Sequence, residues 1–236
     1  MRPFLLISLN VAKEQMWPLF FLLLWVLGWI AFGLFADSHD AADDALMIFR
    51  QLAMYAVAFA VFFGSSAIPA DLRSRRILAV LSKAVSRFQY LAGVLAGIAM
   101  ILGVFCLGTG FTASWLLGRF GYNLKASWCG MLALFTACLL TASLTLLLST
   151  FLPPLFAAIG SAMLAGVPAL LTMQGSASAR YVIPVYGLLK PMMGADFNTA
   201  WPGNMGMVLL GLAESAILLS MATWIFARRD LAVAVE

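Results

Sequence analysis

Charge is what this sequence has least of. Asp, Glu, Lys and Arg make up only 10% of its 236 residues, while 64% are hydrophobic. Ordinary soluble domains carry roughly a quarter charged residues. A water-soluble fold of this length has no interior large enough for that apolar excess, so a soluble domain is excluded. Histidine is nearly missing as well, the single one being His39. The sequence contains no HExxH and no GxSxG, so the metal-ligand set or nucleophile–base pair of an intramembrane enzyme is lacking. No GxxxxGK[ST] occurs either, which excludes ATP binding through a phosphate loop. The three cysteines, Cys106, Cys129 and Cys138, form no CxxC pair and lie in or beside apolar runs. They read as small buried hydrophobes rather than as metal ligands or a disulfide. The expectation is a protein that is not by itself an enzyme and holds no metal or cofactor of its own.

What the sequence does have is long apolar runs. They predict an all-α, polytopic membrane protein forming one transmembrane domain over residues 1–236. Six spans are expected, at about 17–36, 46–69, 88–117, 128–150, 155–173 and 205–226. The first is too long for a signal-peptide core and has no small-x-small cleavage site after it, so it should stay as an anchor. Before it, Leu5, Leu9, Ala12 and Met16 recur at helical spacing, which suggests an interfacial helix lying on the membrane surface. Arg50, near one end of the second span, reads as a side chain snorkelling to the headgroups. Between the fifth and sixth spans, Pro184, Pro191, Pro202, Gly187, Gly194 and Gly203 punctuate apolar pieces too short to span, which read as re-entrant or interfacial helices. The acidic segment from Asp37 to Asp44, with His39 inside it, reads as a solvated loop because no fixed metal-ligand spacing is present.

The positive charges set the orientation. With the amino terminus inside, one side holds Arg2, Lys13, Arg73, Arg75, Arg76, Lys83, Arg87, Arg228 and Arg229, and the other holds Arg50, Arg119, Lys125, Arg180 and Lys190. Nine against five predicts both termini in the cytoplasm. The net charge of +4 is thus a matter of topology, not of nucleic-acid affinity. The densest cluster lies between the second and third spans, in the stretch ADLRSRRILAVLSKAVSR over residues 70–87. There Leu72, Ile77, Leu78, Val80, Leu81 and Val85 fall roughly at helical spacing, so it reads as a basic amphipathic helix. Such a helix retains its loop in the cytoplasm, lies on anionic lipid, or grips a soluble partner, and the charges alone leave these open.

Two further features bear on packing. Glu214 lies near the middle of the sixth span, where an acid costs about 2.5–3.5 kcal/mol unless it faces protein or water. It is a candidate for a substrate path or a subunit seam, or a neutral group bonded to a neighbouring hydroxyl. Gly93 and Gly97 make a GxxxG, and Ala158, Ala162 and Gly166 make a row of small residues on the fifth span. Both spacings predict close helix contact, and the second is a candidate subunit seam.

With these elements placed, the chain resembles a permease subunit of the ABC transporter type-2 exporter family over nearly its whole length. Val11-Ala-Lys-Glu14 resembles that family's A-x-K-E pattern before the first span. Ile77 to Arg87 followed by Tyr90-Leu-Ala-Gly93 resembles its L-L-S-K-P-V-S-R…Y-L-x-G-K run. Phe226-Ala-Arg-Arg-Asp-Leu231 resembles its F-x-R-R-D-L ending. Ala84 stands where the pattern has proline, and Val94 where it has lysine.

The resemblance implies a multi-pass protein of the cell inner membrane that exports a hydrophobic or amphipathic substrate. It implies a cytoplasmic coupling helix in which Asp71, Arg73, Arg75, Arg76, Ser82, Lys83 and Arg87 meet an ATP-binding cassette subunit, with Lys13 and Glu14 near the same contact. Two such subunits would bring ATP and Mg, and a second permease chain would complete the pathway in the lipid bilayer, with no nucleic acid involved. The competing expectation is a membrane scaffold that recruits a cytoplasmic partner through the same basic helix.

Overall fold

The structure, a computed structural model, describes residues 2–35, 41–73, 85–173, 178, 181–193 and 204–228. Among the described residues there are eight α-helices and no strand. They are α1 (Arg2–Glu14), α2 (Met16–Phe35), α3 (Ala41–Arg73), α4 (Arg87–Arg119), α5 (Leu124–Ser149), α6 (Pro154–Met173), α7 (Val185–Met193) and α8 (Met205–Arg228). Five of them, α2, α3, α4, α5 and α8, are long and apolar enough to cross a membrane. The protein is a multi-pass membrane protein. α6 contributes a shorter apolar stretch, Pro154–Pro168. α7, at nine residues, is too short to span.

Most helices begin and end close to where hydropathy places them. α3 is the main extension, starting at Ala41 and running to Arg73. At its start Asp43 and Asp44 enter the first turn, where the helix dipole favours negative charge. At its far end the helix absorbs the first residues of the basic stretch. Residues 74–84, the bulk of the expected amphipathic helix, lie outside the described residues, as do Asp37, His39 and Asp40. α4 then opens on a capping box. The Ser86 side chain accepts from the Gln89 amide while the Gln89 side chain accepts from the Ser86 amide.

α5 is the hub. Of its apolar stretch 83% is buried, against 22% for α2 and for α8, and it packs on α3, α4, α6, α7 and α8. It carries many hydroxyls, and burial there demands that each find an acceptor. Thr136, Thr141, Ser143 and Thr145 each donate to the carbonyl four residues earlier, at 2.7–2.9 Å. These four hydroxyls are thereby satisfied without a second helix, while the buried Ser127 Oγ has no partner among the described residues. Small neighbours pack closely against the helix. A Cβ on Gly64 of α3 would stand 2.9 Å from the Ala142 carbonyl, and one on Gly211 of α8 would stand 2.9 Å from Thr136 Cγ2. Cys106 and Cys138 are buried in this core with free thiols.

The GxxxG of α4 is used inside the chain. A Cβ at Gly93 would stand 2.9 Å from Ile7 Cγ2, and one at Gly97 only 2.7 Å from the Ser8 carbonyl. α1 therefore seats on α4 through Phe4, Ile7, Ser8 and Val11. Leu5 and Leu9, of the apolar stripe expected to lie against the membrane surface, are about half exposed. α1 also runs on into α2 with little interruption, the Gln15 amide bonding to Val11 and the Leu19 amide to Gln15. The row on α6 behaves differently. Ala162 is exposed and an added Cβ at Gly166 meets nothing within 4 Å, while Ala157 and Ser161 face the core.

Gly97→Leu should unseat α1 and lower stability by about 1–3 kcal/mol, because backbone and Val11 cannot give way. Gly118→Ala, where the new carbon meets nothing within 4 Å, should be neutral or stabilising by up to ~1 kcal/mol. Thermal unfolding in detergent reads both, and equal effects would contradict this seating of α1.

Candidate functional site

A helix leaves its last four carbonyls without intrahelical partners, so water or other groups of the protein must meet them. Three arginines fill that need here, each from a different helix than the carbonyl it serves. Arg50 of α3 donates from Nε to the Met192 carbonyl at the end of α7, at 2.9 Å. Arg119, last in α4, donates to the Gly33 carbonyl at the end of α2, at 3.2 Å, with its guanidinium over the Trp115 ring. Arg87, first in α4, donates to the Phe226 and Ala227 carbonyls at the end of α8, at 2.5 and 2.7 Å. Each places a cation at the negative end of a helix dipole. Arg50 therefore does more than snorkel, since it ties α7 to α3.

The Arg87 end of the bundle holds the densest set of such links. The guanidinium lies 5.8 Å from the Phe226 ring centre, and Phe226 stacks on Tyr90 with centroids 6.0 Å apart and planes 22° apart. Both rings are almost fully buried. Tyr90 is a residue of α4, and its hydroxyl donates to Asp71 Oδ2 of α3 at 2.6 Å. α3, α4 and α8 thus meet in one contiguous set of side chains. Its chemistry is that of fastening. A carboxylate, a phenol, a guanidinium and two carbonyls hold three helix ends in a fixed register.

Of the residues singled out for partner coupling, the structure brings Asp71 and Arg87 into this cluster. Both point into the bundle. Arg73 ends α3, while Arg75, Arg76, Ser82 and Lys83 lie outside the described residues. Lys13 and Glu14 are exposed at the end of α1, where Glu14 accepts from Asn10 at 3.1 Å. Because Phe4 and Ile7 face Gly93 while Ser8 and Val11 face Gly97, α1 runs away from Arg87. Lys13 and Glu14 therefore fall roughly 15–20 Å along α4 from Arg87, by the rise of 1.5 Å per residue.

Glu214 is half-buried on α8, beside the inward line of Gly211 and Ser215. Ala158 and Gly166 are half-exposed and Ala162 exposed on α6. Tyr90, Phe226, Arg50 and Arg119 were not singled out as site residues by sequence reasoning. The available signal was the cost of leaving an arginine inside or beside an apolar run without a partner.

No protein-family model matches the chain, and no curated protein sequence matches it.

Arg87→Met removes two charge-assisted bonds and should lower stability by about 1.5–3 kcal/mol. Arg87→Lys should recover part of the loss: a single nitrogen, Nη1, makes both bonds, which an ammonium can also do, but the flat guanidinium over the Phe226 ring is lost. Thermal unfolding of both variants checks this. An Arg87→Met protein within ~0.5 kcal/mol of the parent would show that the bonds carry no load.

Proposed function

We propose that this chain is the membrane-spanning subunit of an ATP-driven ABC exporter, with ATP hydrolysed by a separate subunit. The observation that carries the reading is the way the basic connection is anchored. The connection leaves α3 beside Asp71 and joins α4 beside Arg87, and both residues are fastened into one cluster with α8. A load applied to residues 74–84 is thereby delivered to three helices together. That is the mechanical requirement for a lever, and retention of a loop by charge alone needs none of it. The sequence resemblance around Ile77–Arg87, Tyr90–Gly93 and Phe226–Leu231 supports the same reading.

On this reading α6 is the fifth of six spans. Its 20 residues rise about 30 Å, enough for the hydrocarbon core. Both termini lie in the cytoplasm and the membrane is the cell inner membrane. The segment around Asp71 to Arg87 acts as the coupling element, with Arg75, Arg76, Ser82 and Lys83 meeting the ATP-binding cassette subunit. α7 belongs to the outer re-entrant segment. Two permease chains pair, with Ala158, Ala162 and Gly166 at the seam, where the outward-facing row has room for close helix contact. Glu214 lines the path of a hydrophobic or amphipathic substrate.

Purification of the tagged chain from its native membrane should bring an ATP-binding cassette subunit with it. Charge reversal of Arg75 and Arg76 to Glu should release that subunit or uncouple its ATP hydrolysis from transport. If the chain brings a different soluble protein that these reversals release, it is a scaffold for that protein and not a permease. Cysteines placed at Ser38 and Ser74 should label from outside and inside respectively, and the reverse pattern would overturn the orientation.

A further inference from the structure

We infer that Asp71, Tyr90, Arg87 and Phe226 form a conformational relay that makes the end of α8 follow the end of α3. α4 supplies both middle members. Tyr90 reaches α3 through its hydroxyl and α8 through its ring. Arg87, three residues earlier, reaches α8 through two carbonyl bonds and through the face of Phe226.

The geometry permits little slack. Tyr90 and Phe226 are each 1% exposed, so neither ring can change rotamer without displacing its neighbours. The Tyr90 hydroxyl sits at 2.6 Å from a carboxylate oxygen, and a charge-assisted bond of that length fixes the ring's long axis. A turn of the α3 end that drags Asp71 therefore swings the Tyr90 ring, and the stacked Phe226 must move with it. Phe226 is also the residue whose carbonyl Arg87 holds, so the α8 backbone moves as well as the side chain.

Twelve residues further along α8 lies Glu214, and a rigid helix carries displacement that far, about 18 Å at 1.5 Å per residue. The relay thus joins the connection between α3 and α4 to the half-buried acid of α8. Its role in transport rests on the exporter reading, but its existence does not.

Hydrogen exchange measured on the chain alone, in lipid nanodiscs, separates the two. Tyr90→Phe removes only the hydroxyl bond to α3 and keeps the ring on Phe226. The relay predicts that exchange rises roughly two- to tenfold, the equilibrium factor of one hydrogen bond, at the end of α3 and also in the last turn of α8. A rise confined to α3 and α4, with α8 unchanged, overturns it. Arg87→Gln should act in the other direction, loosening α8 and also the end of α3. Arg119→Gln should loosen the end of α2 and leave both sites alone; a response there equal to that of Tyr90→Phe would also overturn the relay. Linked exchange in a chain that co-purifies with no ATPase would sustain the relay and remove the exporter reading. An ATPase partner with unlinked exchange would do the reverse.

Discussion

Backbone carbonyls at the end of a helix have no partner within the helix. Left unsatisfied away from water each costs free energy, and a spanning protein has many such ends. In this chain three of those ends, those of α2, α7 and α8, are met by Arg119, Arg50 and Arg87. Because every donor sits on a different helix from its acceptors, satisfying the backbone also ties helices together. The ties fall on α3 and α4. α4 is linked to α8 at its first residue and to α2 at its last, while α3 is linked to α7 near one end and to Tyr90 near the other. A bundle with no hydrophobic drive between helices gains specific contacts at its rims by this means.

The middle of the bundle follows a complementary rule. α5 bonds Thr136, Thr141 and Thr145 to its own carbonyls, so these buried hydroxyls dictate no partner on another helix, and only the buried Ser127 Oγ of α5 lacks a bond among the described residues. Glycines at 64 and 211 then let α3 and α8 approach its backbone. Packing in the interior and polar fastening at the ends divide the work of setting helix positions.

This division explains what the sequence made readable. Spans were legible because apolar run length and bilayer thickness are matched one to one, and the GxxxG of α4 was legible because small residues mark close approach. The partners of the arginines were not. Arg50 and Met192 are 142 residues apart, and nothing local to either betrays the other. The apolar stripe of α1 was legible as a face for lipid, where an exposed face is apolar, but the seat of α1 on α4 was not. Leu5 and Leu9 therefore face out, while buried Ser8, bonded to the Leu5 carbonyl, lies against Gly97. Asp71 and Arg87 were picked out as charges of a docking helix. Their sequence position was informative, but their inward direction depends on Tyr90 and on the end of α8, which only the folded chain brings near.

The most direct test of the fastening is mechanical. Pulling single molecules out of a bilayer by the carboxyl terminus extracts α8 first, and its barrier includes the two bonds that Arg87 makes to Phe226 and Ala227. The force needed for that first step should fall in Arg87→Met and stay unchanged in Arg119→Met, whose lost bond holds α2. If the two variants give the same first-step force as the parent, arginine does not fasten the helix ends and the account fails.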